Sequence, residues 1–201
     1  MAATDAELCN LALNHIGSLD FIDELDEEGA AAEVCNVIYA TTRDAALERV
    51  WWPFATRRAL PAAIDEDLVS RSGWGYAYAL PDDCIAMRYI YPGTRAPTAQ
   101  QRIPFVTEND ADVGMVVLTD QEDAELVYTA RIEEVPRFSP LFQEALAWSL
   151  AAKLALSISK DARKAMAMNQ QFELAIARAT ASVFRQQRED LPPEAEHIRN
   201  R

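Results

Sequence analysis

Apolar residues recur at helical spacing near both ends of the chain, and give way in the middle to short strand-like runs punctuated by Pro, Gly and Asp. Thr4-Asp-Ala-Glu7 has the form of a capping box, in which the Thr oxygen accepts from an orphan amide and the Glu carboxylate reaches back to the cap. A helix is predicted to start there, with Leu8, Leu11, Ala12 and Ile16 on its apolar face and Gly17 taking the left-handed conformation past its last turn. The acidic loop Asp20 to Glu28 leads into a second helix, whose N-terminus favours negative charge. That helix is predicted to present Ala31, Val34, Cys35, Ile38, Ala45 and Leu47, run to about Val50, and stop because Pro53 disfavours helical backbone at Trp52.

Strands are predicted at Tyr76 to Leu80, Cys84 to Tyr91, Met115 to Leu118 and Leu126 to Ile132, with breaks at Pro81-Asp-Asp83, Pro92-Gly93 and Glu108-Asn-Asp110. Helical spacing resumes at Phe138. Leu141, Ala145, Trp148, Ala152 and Ala155 form one stripe and Leu146, Leu150, Leu154 and Ile158 a second, leaving only Gln143, Glu144 and Lys153 for water. A helix apolar on both sides must be surrounded. The segment from Asp161 to about Arg188 carries Ala165, Asn169, Phe172, Ile176, Ala179 and Val183 as a seam suited to helix-on-helix packing. These patterns predict an α+β, mainly α fold: a four-helix bundle built from residues 1–55 and 135–188, a small antiparallel β unit inserted at 56–134, and an extended C-terminal tail at 189–201.

Composition narrows the partners. The formal charge of −13 disfavours tight nucleic-acid binding, which needs a basic stripe and counterion release. No apolar run reaches the ~20 residues that cross a bilayer, and the acidic start has no signal-peptide layout, so a soluble, non-secreted protein is expected. Cys9, Cys35 and Cys84 are widely spaced without a Cys-x-x-Cys pair, as suits free buried thiols.

Candidate chemistry is sparse. Of the two histidines, His15 reads as a helix-surface residue and His197 falls in the tail; neither has a partner signature for a nucleophile or a metal. No glycine-rich phosphate loop occurs. No cofactor or metal is expected. Asp82, Asp83, Asp110 and Asp112 are acid/base candidates only if they converge in a pocket, the requirement of a carboxylate-based hydrolase; their turn contexts favour backbone hydrogen bonding instead. Trp51, Trp52, Phe54, Tyr76 and Tyr78 read as core anchors.

An ordered set of residues points further: Glu7-Leu-Cys-Asn-Leu-Ala-Leu-Asn-His-Ile-Gly17; Ala31, Cys35, Tyr39, Arg43-Asp44 and Leu47 leading into Trp51-Trp-Pro-Phe-Ala55; Trp74-Gly-Tyr-Ala-Tyr-Ala-Leu-Pro-Asp-Asp-Cys84; Tyr128 and Arg131; and Phe138-Ser-Pro-Leu-Phe-Gln-Glu-Ala-Leu-Ala147. From Glu7 to about Phe184 the chain resembles the tail tubular protein A family of tailed bacteriophages, departing from it at Ala40, where an acid often follows the tyrosine. The resemblance implies a non-enzymatic head-to-tail adaptor of the virion, assembled in the host cytoplasm as a twelve-copy homo-oligomeric ring. Its implied partners are the portal protein, the tail nozzle protein and double-stranded DNA passing without sequence-specific binding; no membrane is involved. An oligomeric helical scaffold or regulatory binding protein is the alternative.

Within that reading, Arg43, Arg49, Arg57 and Arg58 are candidates for inter-subunit pairs with Asp23, Glu24, Glu27 and Glu28 of the acidic loop. Leu191, Pro192, Pro193, Ile198, Arg199 and Arg201 are candidates for portal docking, since a segment with no core of its own orders on binding.

Overall fold

The computed structural model describes residues 4–64, 69, 72–94 and 101–187. Helix α1 spans Asp5–His15 and opens on the expected box: Glu7 N–H donates to Thr4 Oγ1 at 3.2 Å and Thr4 N–H to Glu7 Oε2 at 3.0 Å. Leu8, Ala12 and Ile16 are buried together with Cys9 and Leu13, whereas Leu11 turns out to water at 42% exposure. Gly17 has φ +75°, as the end of the helix requires.

Helix α2 spans Ala30–Arg49 and buries Ala31, Cys35, Tyr39, Thr42, Arg43, Ala46 and Leu47. Ala45, expected on this face, is exposed. Side chains satisfy the carbonyls at the end of the helix: Trp52 Nε1–H donates to Ala46 O at 3.0 Å, and Arg88 Nη2–H to Glu48 O and to Val50 O just beyond it. Val50 is extended, and Pro53–Ala55 forms a short 3₁₀ turn.

Helix α3, Pro140–Ser157, is capped by Ser139 and is the hub of the helical layer. Ala145, Leu146, Ala147, Leu150, Ala151, Leu154 and Ala155 are fully buried because α1, α2 and the last helix, α4 (Ala162–Gln187), each pack on α3. Helices α1 and α2 scarcely meet each other. On α4 the seam holds at Ala165, Phe172, Ile176 and Ala179; Asn169 faces water.

The middle of the chain forms two three-stranded antiparallel sheets. The first has order β1 (Thr56–Ala59), β6 (Leu126–Ala130), β3 (Cys84–Ile90); the second has order β2 (Tyr76–Ala79), β5 (Gly114–Thr119), β4 (Phe105–Asp110). Strands β1 and β4 were not anticipated from the sequence, and Glu108-Asn-Asp110, expected as a break, pairs with Gly114 to Val116 as the end of β4.

The expected four-helix bundle with a small β insertion is therefore incorrect. Among the described residues four helices pack with two three-stranded sheets, and the first sheet is built into the helical core: Tyr128, Ala130 and Ile132 pack in one cluster with Trp52, Phe142 and Leu150. The strand β6 is buried along its entire length. Its Leu126, with Ile90, meets Tyr78 and Val117 of the second sheet, whose other face packs Ala77, Val116 and Leu118 beneath Ile64 and Trp74. Helices supply one wall of this core and strands the other.

Candidate interaction surface

The residues proposed for acid/base work are divided between two turns. Asp110 Oδ1 accepts from the Asp112 and Val113 amides at 2.9 and 3.1 Å, shaping the β4–β5 hairpin. Asp83, at the turn from the second sheet to the first, accepts from Arg57 Nη1 and, at 3.0 Å, from the Tyr128 hydroxyl. Asp82 and Asp83 line a shallow depression of about 310 Å³ with Arg57, Arg131, Glu133 and Glu134, and Asp110 and Asp112 do not take part in it. Burial and the bond to Asp83 push the Tyr128 phenol up to about 12. No cluster of three His, Cys, Asp or Glu side chains suited to a metal occurs among the described residues, and no helix among them is long and apolar enough to cross a membrane.

His15 is not a free surface residue. It stacks on Trp148 of α3, and this burial lowers its pKa. Cys9 and Cys35 are fully buried and share a hydrogen bond, which raises the first thiol and lowers the second. Cys84 is half-buried, and desolvation pushes it up to about 11.

The aromatic residues that carried the resemblance converge although they lie far apart in sequence. Trp52 and Phe54, after α2, meet Phe138 and Phe142, before and within α3, with ring centroids 4.8 to 5.9 Å apart. A second joint lies beside them: Asp44 accepts Arg43 Nε on one oxygen and Arg131 Nε on the other, both at 2.9 Å, tying α2 to the end of β6. These motifs hold the helical layer to the first sheet.

The four candidate arginines all have partners in their own chain. Buried Arg43 bonds Asp44 and reaches Glu133 at 3.4 Å; Arg49 Nη2 contacts both oxygens of Glu173 at 2.8 and 2.6 Å; Arg57 holds Asp83; Arg58 bonds Glu125 at 3.1 Å and lies 4.3 Å over the Tyr91 ring. None of these partners belongs to the acidic loop. That loop is fastened at Ile22, whose N–H and C=O are both bonded by the Asn10 amide at 2.8 and 2.7 Å, and it closes on Glu27, which accepts from the Asp23 and Glu24 amides. Asp23, Glu24 and Glu28 stay exposed. Leu191, Pro192, Pro193, Ile198, Arg199 and Arg201 lie outside the described residues.

A surface that the sequence did not announce runs between α3 and α4. Ala152, Leu156, Ala165, Met166 and Glu173 line a groove of about 1080 Å³, mostly apolar, with Leu156 at 56% and Met166 at 74% exposure. Lys153 stands on its rim. The lysine ammonium donates to the buried Thr42 hydroxyl at 2.7 Å, and desolvation lowers its pKa. Among the described residues no carboxylate comes within ion-pair distance of Lys153 or of Arg163, which also lines the groove.

No protein-family model and no curated protein matches this sequence.

Proposed function

We propose that the chain is a structural subunit of a phage head-to-tail adaptor, acting in the virion as one copy of a twelve-membered ring between portal and tail nozzle, with double-stranded DNA passing through the bore. The observation that carries this reading is where the shared motifs lie. Trp51-Trp-Pro-Phe54, Asp44, Arg131 and Phe138-Ser-Pro-Leu-Phe142 form the joint between helices and sheet, so the likeness resides in architecture rather than in a reactive site. The net charge of −13 suits a channel that lets DNA slide without holding it. In a closed ring each modest contact is repeated, so the assembly is stable although single interfaces are not.

Negative-stain images of the purified chain, alone and mixed with portal, test the proposal. Rings with a central channel, free or seated on portal, support it. A protein that stays monomeric and ignores portal overturns it.

A further inference from the structure

We infer that the α3–α4 groove receives the acidic loop of a second copy of this chain. The inference names the contact within the proposed ring and rests on that reading. Three observations carry it. First, the loop offers apolar anchors as well as charge: Leu19 and Phe21 are 88% and 51% exposed, immediately before the exposed carboxylates of Asp23 and Glu24. Second, the groove offers the complement, with Leu156 and Met166 exposed beside Lys153 and Arg163, the cations that lack a carboxylate there. Third, Arg43, Arg49, Arg57 and Arg58 are already paired within the chain, so they do not compete for the loop.

The contact is heterologous. The loop follows α1, the groove is formed by α3 and α4, and the exposed anchors of the one do not fill the other within the chain, so each copy keeps one groove and one loop unsatisfied until a ring closes. Docking removes Leu19, Phe21, Leu156 and Met166 from water and gives Lys153 the carboxylate it lacks. Lys153 already holds its place through Thr42, so little ordering is needed when the partner arrives.

The test is oxidative trapping in the full chain carrying Cys84→Ser, Leu19→Cys and Met166→Cys; the two new cysteines replace exposed side chains, and Cys9 and Cys35 are fully buried. Because every copy carries both halves of the contact, the expected product is a ladder of multimers, whereas either cysteine alone stops at dimers. Lys153→Glu should cut the yield of the ladder about tenfold, and deletion of residues 188–201 should leave it intact. Absence of the ladder overturns the inference, as does a ladder indifferent to Lys153→Glu. Loss of the ladder on deleting the tail would give the groove to the tail and also overturn it. Rings without a ladder sink this pairing but spare the adaptor reading; a ladder without rings, on or off portal, does the reverse.

Discussion

His15 lies flat against Trp148, with ring centroids 3.6 Å apart and planes 9° from parallel. The stack closes α1 onto α3 and partly buries the imidazole, which lowers its pKa more than Glu144 raises it. The neutral ring is thus favoured in the folded state, and below the unfolded pKa of ~6.5 the unfolded chain binds more protons. Stability from this group is complete above that pH and is lost as the pH falls through the lowered folded value. His15→Phe keeps the stack without a titrating group, so the Tm of the native chain should drop relative to this variant between pH 7 and pH 5. A Tm difference that does not move with pH would remove His15 as the source.

Among the described residues Asp44 is the one carboxylate that bonds both Arg43 and Arg131. Asp44→Ala leaves Arg43 buried with only the longer contact to Glu133, and should cost about 2–3 kcal/mol. Arg131→Ala removes an exposed partner and should cost under about 1 kcal/mol. Chemical denaturation of both variants checks the order; equal losses would mean that the carboxylate is not the keystone of the joint.

Phe142 is fully buried and touches Trp52, Phe54 and Phe138. Phe142→Ala should destabilise by about 3–5 kcal/mol. Because the same cluster binds helices and first sheet, far-ultraviolet dichroism and tryptophan fluorescence should report one coincident transition in both proteins. Two separated transitions would show that the strands unfold by themselves.

The Tyr39 hydroxyl is buried without a hydrogen-bond partner among the described residues, and burial holds the phenol well above its ordinary pKa. An unsatisfied buried donor costs about 1–3 kcal/mol, so Tyr39→Phe should be neutral or stabilise by about 1 kcal/mol. A clear loss of stability on urea denaturation would reveal a partner for this hydroxyl.

Deleting residues 190–201 should abolish portal binding and leave the helical dichroism and Tm of the remainder unchanged. Portal co-sedimentation measures the first effect, and undiminished binding removes the tail as the docking segment.

The elements legible in the sequence are those with local causes. Thr4 and Glu7 announce α1 by a reciprocal cap, and the double apolar stripe after Phe138 demands the buried helix α3. What escaped depends on distant partners. Thr56-Arg-Arg-Ala59 is a strand only because β6 pairs with it, and Phe105-Val-Thr-Glu-Asn-Asp110 is polar because it edges its sheet. The sequence points to a bundle because the apolar faces of three helices suffice to cover the two stripes of the fourth. The sequence could not show that Trp52 and Phe54 turn the ends of α2 and α3 toward β6. The groove was hidden because Leu156 and Met166 have the chemistry of core residues, yet both face water beside Ala152 and Ala165.

The arginines of β1 have a consequence beyond their ion pairs. Strand β1 flanks the first sheet, and an open edge is a template on which another chain can add a strand. Arg57 and Arg58 stand out from that edge with half their side chains in water, and Thr107 to Asn109 do the same for β4 on the other sheet. Charged and polar rims of this kind discourage amyloid-like stacking. Where many copies crowd together, as in the proposed ring, recognition is left to the helices and the loops between them.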